Sequence, residues 1–132
     1  MTFDTLANMI TQIRNAGIKK KKIVEIRATG ITRSIAKLLL QEKWIRSLRE
    51  RQYGSYSILV LVLRYQGKEY KPYITSLKQL SKPGLRIYAN HQEIPQIFGG
   101  IGTVILSTSQ GIISDRQARK HQIGGELLCS IW

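Results

Sequence analysis

The segment Ser107–Glu126 concentrates the residue types of this chain that could do chemistry. Its sequence, STSQGIISDRQARKHQIGGE, contains three consecutive hydroxyl side chains, a basic stretch, and two glycines followed by a carboxylate. Such a combination could form a catalytic site, a nucleotide-binding loop, or a surface that recognises a polyanion. These three alternatives differ in the neighbouring residues that each of them requires.

The catalytic and nucleotide-binding alternatives lack those neighbours. The glycines of GGIG, residues 99–102, lead into a strand-like sequence and no Lys-Ser/Thr pair follows them, whereas a phosphate-binding loop opens a helix. Cys129 and His121 could form a nucleophile pair by sequence distance, but the apolar run LLCSIW is typical of a buried thiol. Asp115 and Glu126 form no obvious carboxylate pair. Nothing in these residues therefore demands catalysis.

The charge of the chain favours nucleic acid as its partner. Twenty-one Lys and Arg residues stand against eight Asp and Glu residues, which gives a formal net charge of +13 over 132 residues. Such self-repulsion is costly unless a polyanion neutralises it. Residues 1–75 carry fifteen basic and five acidic residues, whereas residues 76–132 carry six and three. One cysteine and two histidines are too few for a zinc site, so neither a metal nor another cofactor is expected.

Hydrophobic periodicity predicts an α+β fold in two small lobes, the first an α/β lobe over residues 1–75. A helix with apolar residues at helical spacing ends near Gly17, and the alternating sequence IVEIRA is typical of a half-buried strand. A second helix runs from about Thr32 to Lys43. Strand-like sequences then follow in WIRSL, YSILVLVLRY and KEYKPYI, one more than the two strands counted after the second helix in the predicted order α-β-α-β-β.

The second lobe, residues 76–132, is predicted to be mostly β with short helices. The polar segment SLKQLSKPG indicates the hinge, and strands are predicted in GLRIYA, TVILS, IIS and Glu126–Ile131. A helical turn is expected around Gln92–Phe98. Ser114 with Gln117 resembles a capping box for a helix of about two turns.

Polar and basic groups in this second lobe match what RNA offers. Compact hydroxyls on a tight turn can reach ribose 2′-hydroxyls and base edges in the shallow minor groove, while basic side chains reach phosphates and glycines allow close approach. The residues predicted on these grounds to bind RNA are Ser107, Thr108, Ser109, Arg116, Arg119, Lys120, Gly124 and Gly125. Two alternatives stay open: the hydroxyls could serve only the turn, and the run Lys19–Lys22 is either solvated or bound to phosphate.

Four segments in the same order resemble the bacterial and organellar family of small-subunit ribosomal protein eight. They are DTLANMITQIRNA (Asp4–Ala16), SKPGLRIY (Ser81–Tyr88), STSQGIISDRQAR (Ser107–Arg119) and GGELLC (Gly124–Cys129). The resemblance covers nearly the whole chain. It implies a structural constituent of the small ribosomal subunit that is not an enzyme. Such a protein is a primary binder of the central domain of small-subunit ribosomal RNA and helps to assemble and stabilise the platform. Neighbouring small-subunit ribosomal proteins would be its other partners, without membrane or small-molecule substrate. A generic basic RNA-binding or RNA-modifying protein is the alternative.

The resemblance also implies RNA contacts in both lobes, with most of the specific ones in the second. In the second lobe the family's positions fall on Ser107, Thr108, Ser109, Gly124, Gly125, Glu126, Arg86 and Tyr88. In the first lobe they fall on Thr5, Arg14, Asn15, Thr32 and Arg33. The chain departs from the family at Gln110, where a Lys or Arg is frequent, and in TGITR, where the second helix often starts with a Ser-Lys-rich sequence.

Glu126 is the unexpected member of this set, because phosphates repel a carboxylate. We expect it to accept hydrogen bonds that fix the Ser-Thr-Ser turn, or to contact donors on the RNA directly. The alternative is a glutamate that faces solvent at the start of a strand.

Two features of the chain bear on its location. The ending LLCSIW and the segment IYANHQEIPQIFGGIGTVILSTSQGI look most like the chloroplast-encoded members of the family. The N-terminus has neither the apolar region of a signal peptide nor the Arg- and Ser-rich composition of a transit peptide. The expected location is the ribosome in the plastid stroma, and the bacterial cytoplasm is the alternative.

Overall fold

The computed structural model describes residues 2–132, which contain three α-helices and ten strands. The predicted α+β class is confirmed. The chain divides between Thr75 and Ser76 into two compact units, here called unit 1 and unit 2.

Unit 1 contains two helices and a three-stranded antiparallel sheet in the order β1-β3-β2. Alternate residues of β3, Leu59, Leu61 and Leu63, are buried, which explains why this strand occupies the centre of the sheet. A two-stranded ribbon of β4 and β5 follows. The elements are α1 Thr2–Ile18, β1 Ile23–Arg27, α2 Gly30–Gln41, β2 Ile45–Tyr53, β3 Tyr56–Leu63, β4 Tyr65–Gln66 and β5 Lys71–Pro72.

The second helix starts earlier than its hydrophobic pattern predicts. Thr29 accepts a hydrogen bond from the backbone N–H of Thr32, and the Thr32 hydroxyl closes the reciprocal half of a capping box. Because this box satisfies the first free N–H groups, α2 begins at Gly30, and the predicted start at Thr32 is wrong by two residues.

Each helix is followed, one or two positions after its last residue, by a residue other than glycine in the left-handed conformation. These residues are Lys20, Lys43 and Gln122, with φ of 55°, 64° and 56°. After α2, the N–H of Lys43 bonds to the carbonyl of Leu40 and that of Trp44 to the carbonyl of Leu39, which is the Schellman pattern. The first helix ends at Ile18, one residue after Gly17, near which the sequence predicted its end.

Unit 2 is built around its last strand. The antiparallel sheet has the order β6-β10-β8-β9, and β7 pairs with β10 beside β6. Its core contains Ile94, Val104, Leu106, Ala118 and Leu127, with α3 packed on β8. The elements are β6 Leu77–Gln79, β7 Tyr88–Ala89, a 3-10 turn Phe98–Gly100, β8 Thr103–Thr108, β9 Gly111–Ser114, α3 Asp115–His121 and β10 Gly125–Ile131.

Two segments of unit 2 differ from their predictions. Residues 77–79 were expected in a hinge but form β6, because β10 offers them a free edge. The segment GLRIYA was predicted to be one strand but forms only the short β7. Lys82 and Leu85 exchange two backbone hydrogen bonds around a Pro-Gly turn, and this turn leaves the residues before Tyr88 outside the strand.

The helical turn expected around Gln92–Phe98 is also different. Asn90 accepts hydrogen bonds from the backbone of Gln92 and Glu93, so the segment opens with a side-chain-capped turn. A 3-10 turn follows at Phe98–Gly100, but Gly99 and Gly100 within it have φ of 64° and 99°, so this segment has no regular helical geometry.

The left-handed residue at Lys43 allows a direct test of this account. We expect Lys43→Gly to stabilise the protein by about 0.5–1 kcal/mol, because the strain of a side chain there exceeds the entropy that glycine loses on folding. Thermal and urea unfolding followed by circular dichroism measure the change. Lys37→Gly, in the exposed middle of α2, is the matched control and should destabilise by about 1 kcal/mol. Equal losses in both variants would refute the strain at Lys43.

Candidate nucleic-acid interface

The Ser-Thr-Ser turn connects β8 to β9. The Thr108 hydroxyl donates to the carbonyl of Gly111 at 2.8 Å and accepts from the N–H of Gln110 at 3.1 Å, so this side chain closes the turn. Within residues 2–132, the hydroxyls of Ser107 and Ser109 make no hydrogen bond. The three residues therefore differ: Thr108 shapes the hairpin, while the two serines hold hydroxyls available to a ligand.

The two glycines before β10 are required by the protein's own packing. A Cβ atom at Gly124 would lie 2.4 Å from the carbonyl oxygen of Ala89, and one at Gly125 would lie 2.2 Å from that of Ser107. Real Cβ atoms do not approach backbone oxygens this closely. The close approach predicted for these glycines is thus made by β7 and β8, which flank the start of β10.

Glu126 is buried, with 8% of its surface exposed, so the alternative of a solvent-facing glutamate is wrong. The Arg86 guanidinium donates two hydrogen bonds to its carboxylate, from Nη2 to Oε1 at 2.9 Å and from Nε to Oε2. These bonds hold the pKa of Glu126 below its usual value although burial acts in the opposite direction. Glu126 faces Ser107 on β8 and Tyr88 on β7 in the register of the sheet.

Glu126 is therefore a hydrogen-bond acceptor as expected, but its donor is Arg86 and not a group of the Ser-Thr-Ser turn. Glu126 contacts Arg86, forty residues earlier in the chain, and no sequence pattern connects the two. The pair stiffens the surface next to the Ser-Thr-Ser turn, because a bidentate arginine–carboxylate contact fixes both side chains.

Ser81 shapes the loop that carries Arg86. Its buried hydroxyl accepts from the N–H of Ile87 at 2.9 Å and lies 3.3 Å from the carbonyl of the same residue, to which it can donate. It also contributes to the low pKa of Glu126. The loop leaves Leu85 and Tyr88 exposed at its surface, Tyr88 by 65%. Sequence reasoning missed Ser81, since a serine before Lys-Pro-Gly is also typical of an ordinary turn.

The basic residues of α3 have unequal surroundings. Arg116 donates from Nη2 to the carbonyl of Gly100 at 2.8 Å, and Arg119 donates to that of Pro95 at 2.9 Å. Both guanidinium groups therefore bind loops of the protein itself. Lys120 is exposed. Of the three residues predicted to contact phosphate, Lys120 is the one that these internal contacts leave available.

The start of α3 confirms the predicted capping box, with Ser114 accepting from the N–H of Gln117 and Gln117 reaching back to Ser114. Asp115 does more than complement the helix dipole. It is buried, accepts from the N–H of Val104 at 3.3 Å, and lies 2.9 Å from Arg119. Asp115 thereby connects α3 to β8.

In unit 1, Thr5 and Thr32 line the same cleft of about 450 Å³, together with residues of α1 and β1. Thr32 is nevertheless fully buried, and its hydroxyl lies 2.9 Å from the carbonyl of Arg27 and closes the capping box of α2. The structure gives the Thr32 side chain an internal role instead of the surface position expected for RNA contact.

The remaining predicted residues of unit 1 lie on helix surfaces. Arg14 and Asn15 are exposed near the end of α1. Arg33 makes two hydrogen bonds to Glu50 on β2, at 3.0 and 2.9 Å, which raise the pKa of Arg33 and lower that of Glu50. Because this ion pair is exposed, an incoming phosphate could compete for Arg33.

Other kinds of site are not found over the described range. No group of three or more His, Cys, Asp or Glu residues within residues 2–132 is placed to hold a metal ion. Among the same residues, no helix is long and apolar enough to cross a membrane.

Comparison with known proteins identifies the family. Residues 4–132 match the family described as ribosomal protein S8. The chain belongs to this family. It is 64% identical to the small ribosomal subunit protein uS8c of Staurastrum punctulatum over 129 residues, which cover 98% of both chains. It is 61% identical to the protein of the same name from Chaetosphaeridium globosum over the full length of both.

Family membership confirms the resemblance drawn from the four sequence segments. Members of the family are structural, non-enzymatic components of the small ribosomal subunit, and binding ribosomal RNA is their general role. The expectation of a ribosomal protein without enzymatic activity is therefore confirmed, and the alternative of an RNA-modifying protein is excluded.

Among the glycines, Gly125 is the one at which an added Cβ atom would make the shortest contact. We expect Gly125→Ala to destabilise unit 2 by about 1–3 kcal/mol, because the new methyl group must displace the carbonyl of Ser107. Amide hydrogen exchange of β8 and β10 measures the loss. Gly84→Ala is the control: a Cβ there contacts nothing within 4 Å. Unchanged exchange in Gly125→Ala would contradict the close approach.

The Arg86–Glu126 pair predicts a pH dependence of stability. Because the pKa of Glu126 is lowered by folding, its contribution is present above about pH 4.5, the value of an ordinary glutamate, and is lost as the pH falls through the lower value of the folded state. Glu126→Gln should flatten the loss of stability on acidification, as measured by urea unfolding from neutral pH downwards. Glu93→Gln, at an exposed glutamate, is the control. Parallel curves for the parent and Glu126→Gln would disprove the coupling.

Proposed function

We propose that this protein is a primary binder of the central domain of small-subunit ribosomal RNA in the plastid ribosome, where it helps to assemble and stabilise the platform. The names and identities of its relatives support a place in the small subunit and, through the shared name uS8c, the plastid location. Neighbouring ribosomal proteins complete its partners.

The main support for the binding site is that only one of the three hydroxyls in the Ser-Thr-Ser turn is hydrogen-bonded within the part of the protein that the structure describes. Thr108 is engaged within the hairpin, while Ser107 and Ser109 present hydroxyls without an internal partner among the described residues. A hydroxyl that both donates and accepts fits the 2′-hydroxyls and base edges of an RNA minor groove. These two serines are therefore the hydrogen-bonding centre of the proposed interface.

The flanking residues support the same surface. Strand β10 places Glu126 between Ser107 and Tyr88, and Arg86 neutralises the carboxylate that would otherwise repel phosphate. The exposed Tyr88 ring is suited to stack on an unpaired base or a ribose. The binding surface of unit 2 thus comprises the Ser107–Ser109 turn, the start of β10 and the loop 81–88.

The two units divide the work in this proposal. Unit 1 carries most of the excess positive charge and supplies attraction that depends on salt, because it acts on phosphates. Unit 2 supplies selectivity, because its central groups are neutral hydroxyls that must match donors and acceptors on the RNA.

The test measures binding to a fragment of the ribosomal RNA central domain and to an unrelated RNA duplex of equal length. We expect Ser107→Ala and Ser109→Ala each to weaken binding to the ribosomal fragment by about 1–3 kcal/mol, with little change for the unrelated duplex. Thermal unfolding should change much less. The control is Ser55→Ala, at an exposed serine in the turn between β2 and β3.

Two outcomes would contradict the proposal. If the parent protein bound both RNAs equally well, it would be a generic basic RNA-binding protein. If the serine variants lost folding stability but bound normally once folded, the hydroxyls would serve only the turn.

A further inference from the structure

The lysine run Lys19–Lys22 is the whole connection between α1 and β1, and its backbone is held at every residue. The N–H groups of the first three lysines bond to the last turn of α1, at 3.0, 3.1 and 2.8 Å. The carbonyl of Lys22 accepts from the N–H of Leu63 at 2.9 Å, which ties the loop to β3. The bonds from Lys20 and Lys21 are the Schellman ending of α1, and the bond from Leu63 holds the other end of the loop, so the backbone of the run is ordered without a ligand.

Tyr65 on β4 adds a side-chain contact to this loop. Its hydroxyl donates to the carbonyl of Lys21 and lies 3.3 Å from that of Ala16. The ring is stacked on Tyr70, with centroids 4.2 Å apart and planes 12° from parallel. The phenol of a tyrosine is protonated at neutral pH and can donate, and burial raises the pKa of Tyr65 further. The ribbon of β4 and β5 thereby fixes the conformation of the lysine run.

The four ammonium groups are not equivalent. Lys20 donates from Nζ to the carbonyl of Glu69 at 3.0 Å, so this lysine belongs to the internal contacts of the ribbon. Lys19, Lys21 and Lys22 are exposed, and within the described residues their side chains have no hydrogen bond or ion pair. Three cations therefore project from a backbone that is already ordered.

Helix geometry offers another reason for lysines at this place. Cations stabilise the C-terminal end of a helix through its dipole, and this effect acts only within the last turn. It accounts for Lys19 but not for Lys22, which lies next to β1, nor for the bond from Tyr65 that holds the backbone between them. A loop that is ordered before it binds, by contrast, loses less conformational entropy when a ligand is bound.

We propose that Lys19, Lys21 and Lys22 form a preorganised phosphate-binding loop for the sugar-phosphate backbone of RNA, with Tyr65 as the residue that positions it. This inference rests on the proposed function and adds to it a contact surface in unit 1, separate from the serines of unit 2. Its selectivity is for the phosphate backbone and not for base sequence, because ammonium groups act as point charges.

The experiment measures affinity for the ribosomal RNA fragment as a function of salt concentration. Alanine at Lys19, Lys21 and Lys22 together should flatten the slope of log affinity against log salt by roughly 2–3, since each phosphate contact contributes about 0.7–0.9. The control replaces three exposed cations elsewhere, Lys37, Arg46 and Lys78, by alanine. A slope change no larger than that of the control would overturn the loop as a phosphate-binding site.

Tyr65→Phe tests the positioning role, because it keeps the stacked ring and every charge. We expect it to weaken binding roughly threefold to tenfold in the parent and to have no effect once the three lysines are alanine. A loss of equal size in both backgrounds would show a purely structural role. Thermal unfolding identifies any variant that does not fold, and single alanine substitutions of Lys21 and Lys22 then replace it in the salt titration.

Ser109→Ala in the same titration separates this inference from the proposed function. If the loop variants bind like the parent while Ser109→Ala binds more weakly, only the inference about the lysine loop is lost. If the parent does not discriminate the ribosomal fragment from an unrelated duplex, the proposed function itself is wrong.

Discussion

The approach of β10 to its neighbours is the constraint on which unit 2 depends. At Gly125 the carbonyl oxygen of Ser107 occupies the space of a side chain, and at Gly124 the backbone of residues 89–90 does so. Only because both side chains are absent can β7 and β8 pair with the same end of β10. That pairing places Ser107, Glu126 and Tyr88 in one row across the sheet.

A charged group in that row would be costly without a partner, and Arg86 removes the cost. Its two hydrogen bonds to Glu126 convert a buried carboxylate into part of a neutral surface. Ser81 holds the loop from which Arg86 reaches the sheet. The surface that we propose for RNA binding in unit 2 therefore depends on hydrogen bonds inside the protein, and in unit 1 the hydroxyl of Tyr65 likewise holds the backbone of the lysine run.

Much of the fold could be predicted because local rules agreed with tertiary packing. The strand containing Val24 and Ile26, the hairpin around Gly111 and the capping box of Ser114 follow from periodicity and turn chemistry, and all three are confirmed. One of the predictions that were wrong concerns a segment whose conformation depends on a distant partner. Residues 77–79 became a strand because β10 offered an edge, which no local sequence pattern shows.

The sequence by itself determined the class of protein, since the net charge, the lack of a catalytic constellation and four ordered segments already pointed to a ribosomal RNA-binding family. It also identified the Ser-Thr-Ser turn as a candidate contact, because hydroxyl side chains next to a turn can be recognised from the sequence alone. The tertiary structure decided which of those groups are available. Thr32, Thr108 and Arg119 have the residue types of ligand contacts but form hydrogen bonds inside the protein. The carbonyls that accept from the two threonines lie five and three residues away and the one that accepts from Arg119 lies twenty-four residues away, and each bond exists only once the folded backbone brings the two groups together.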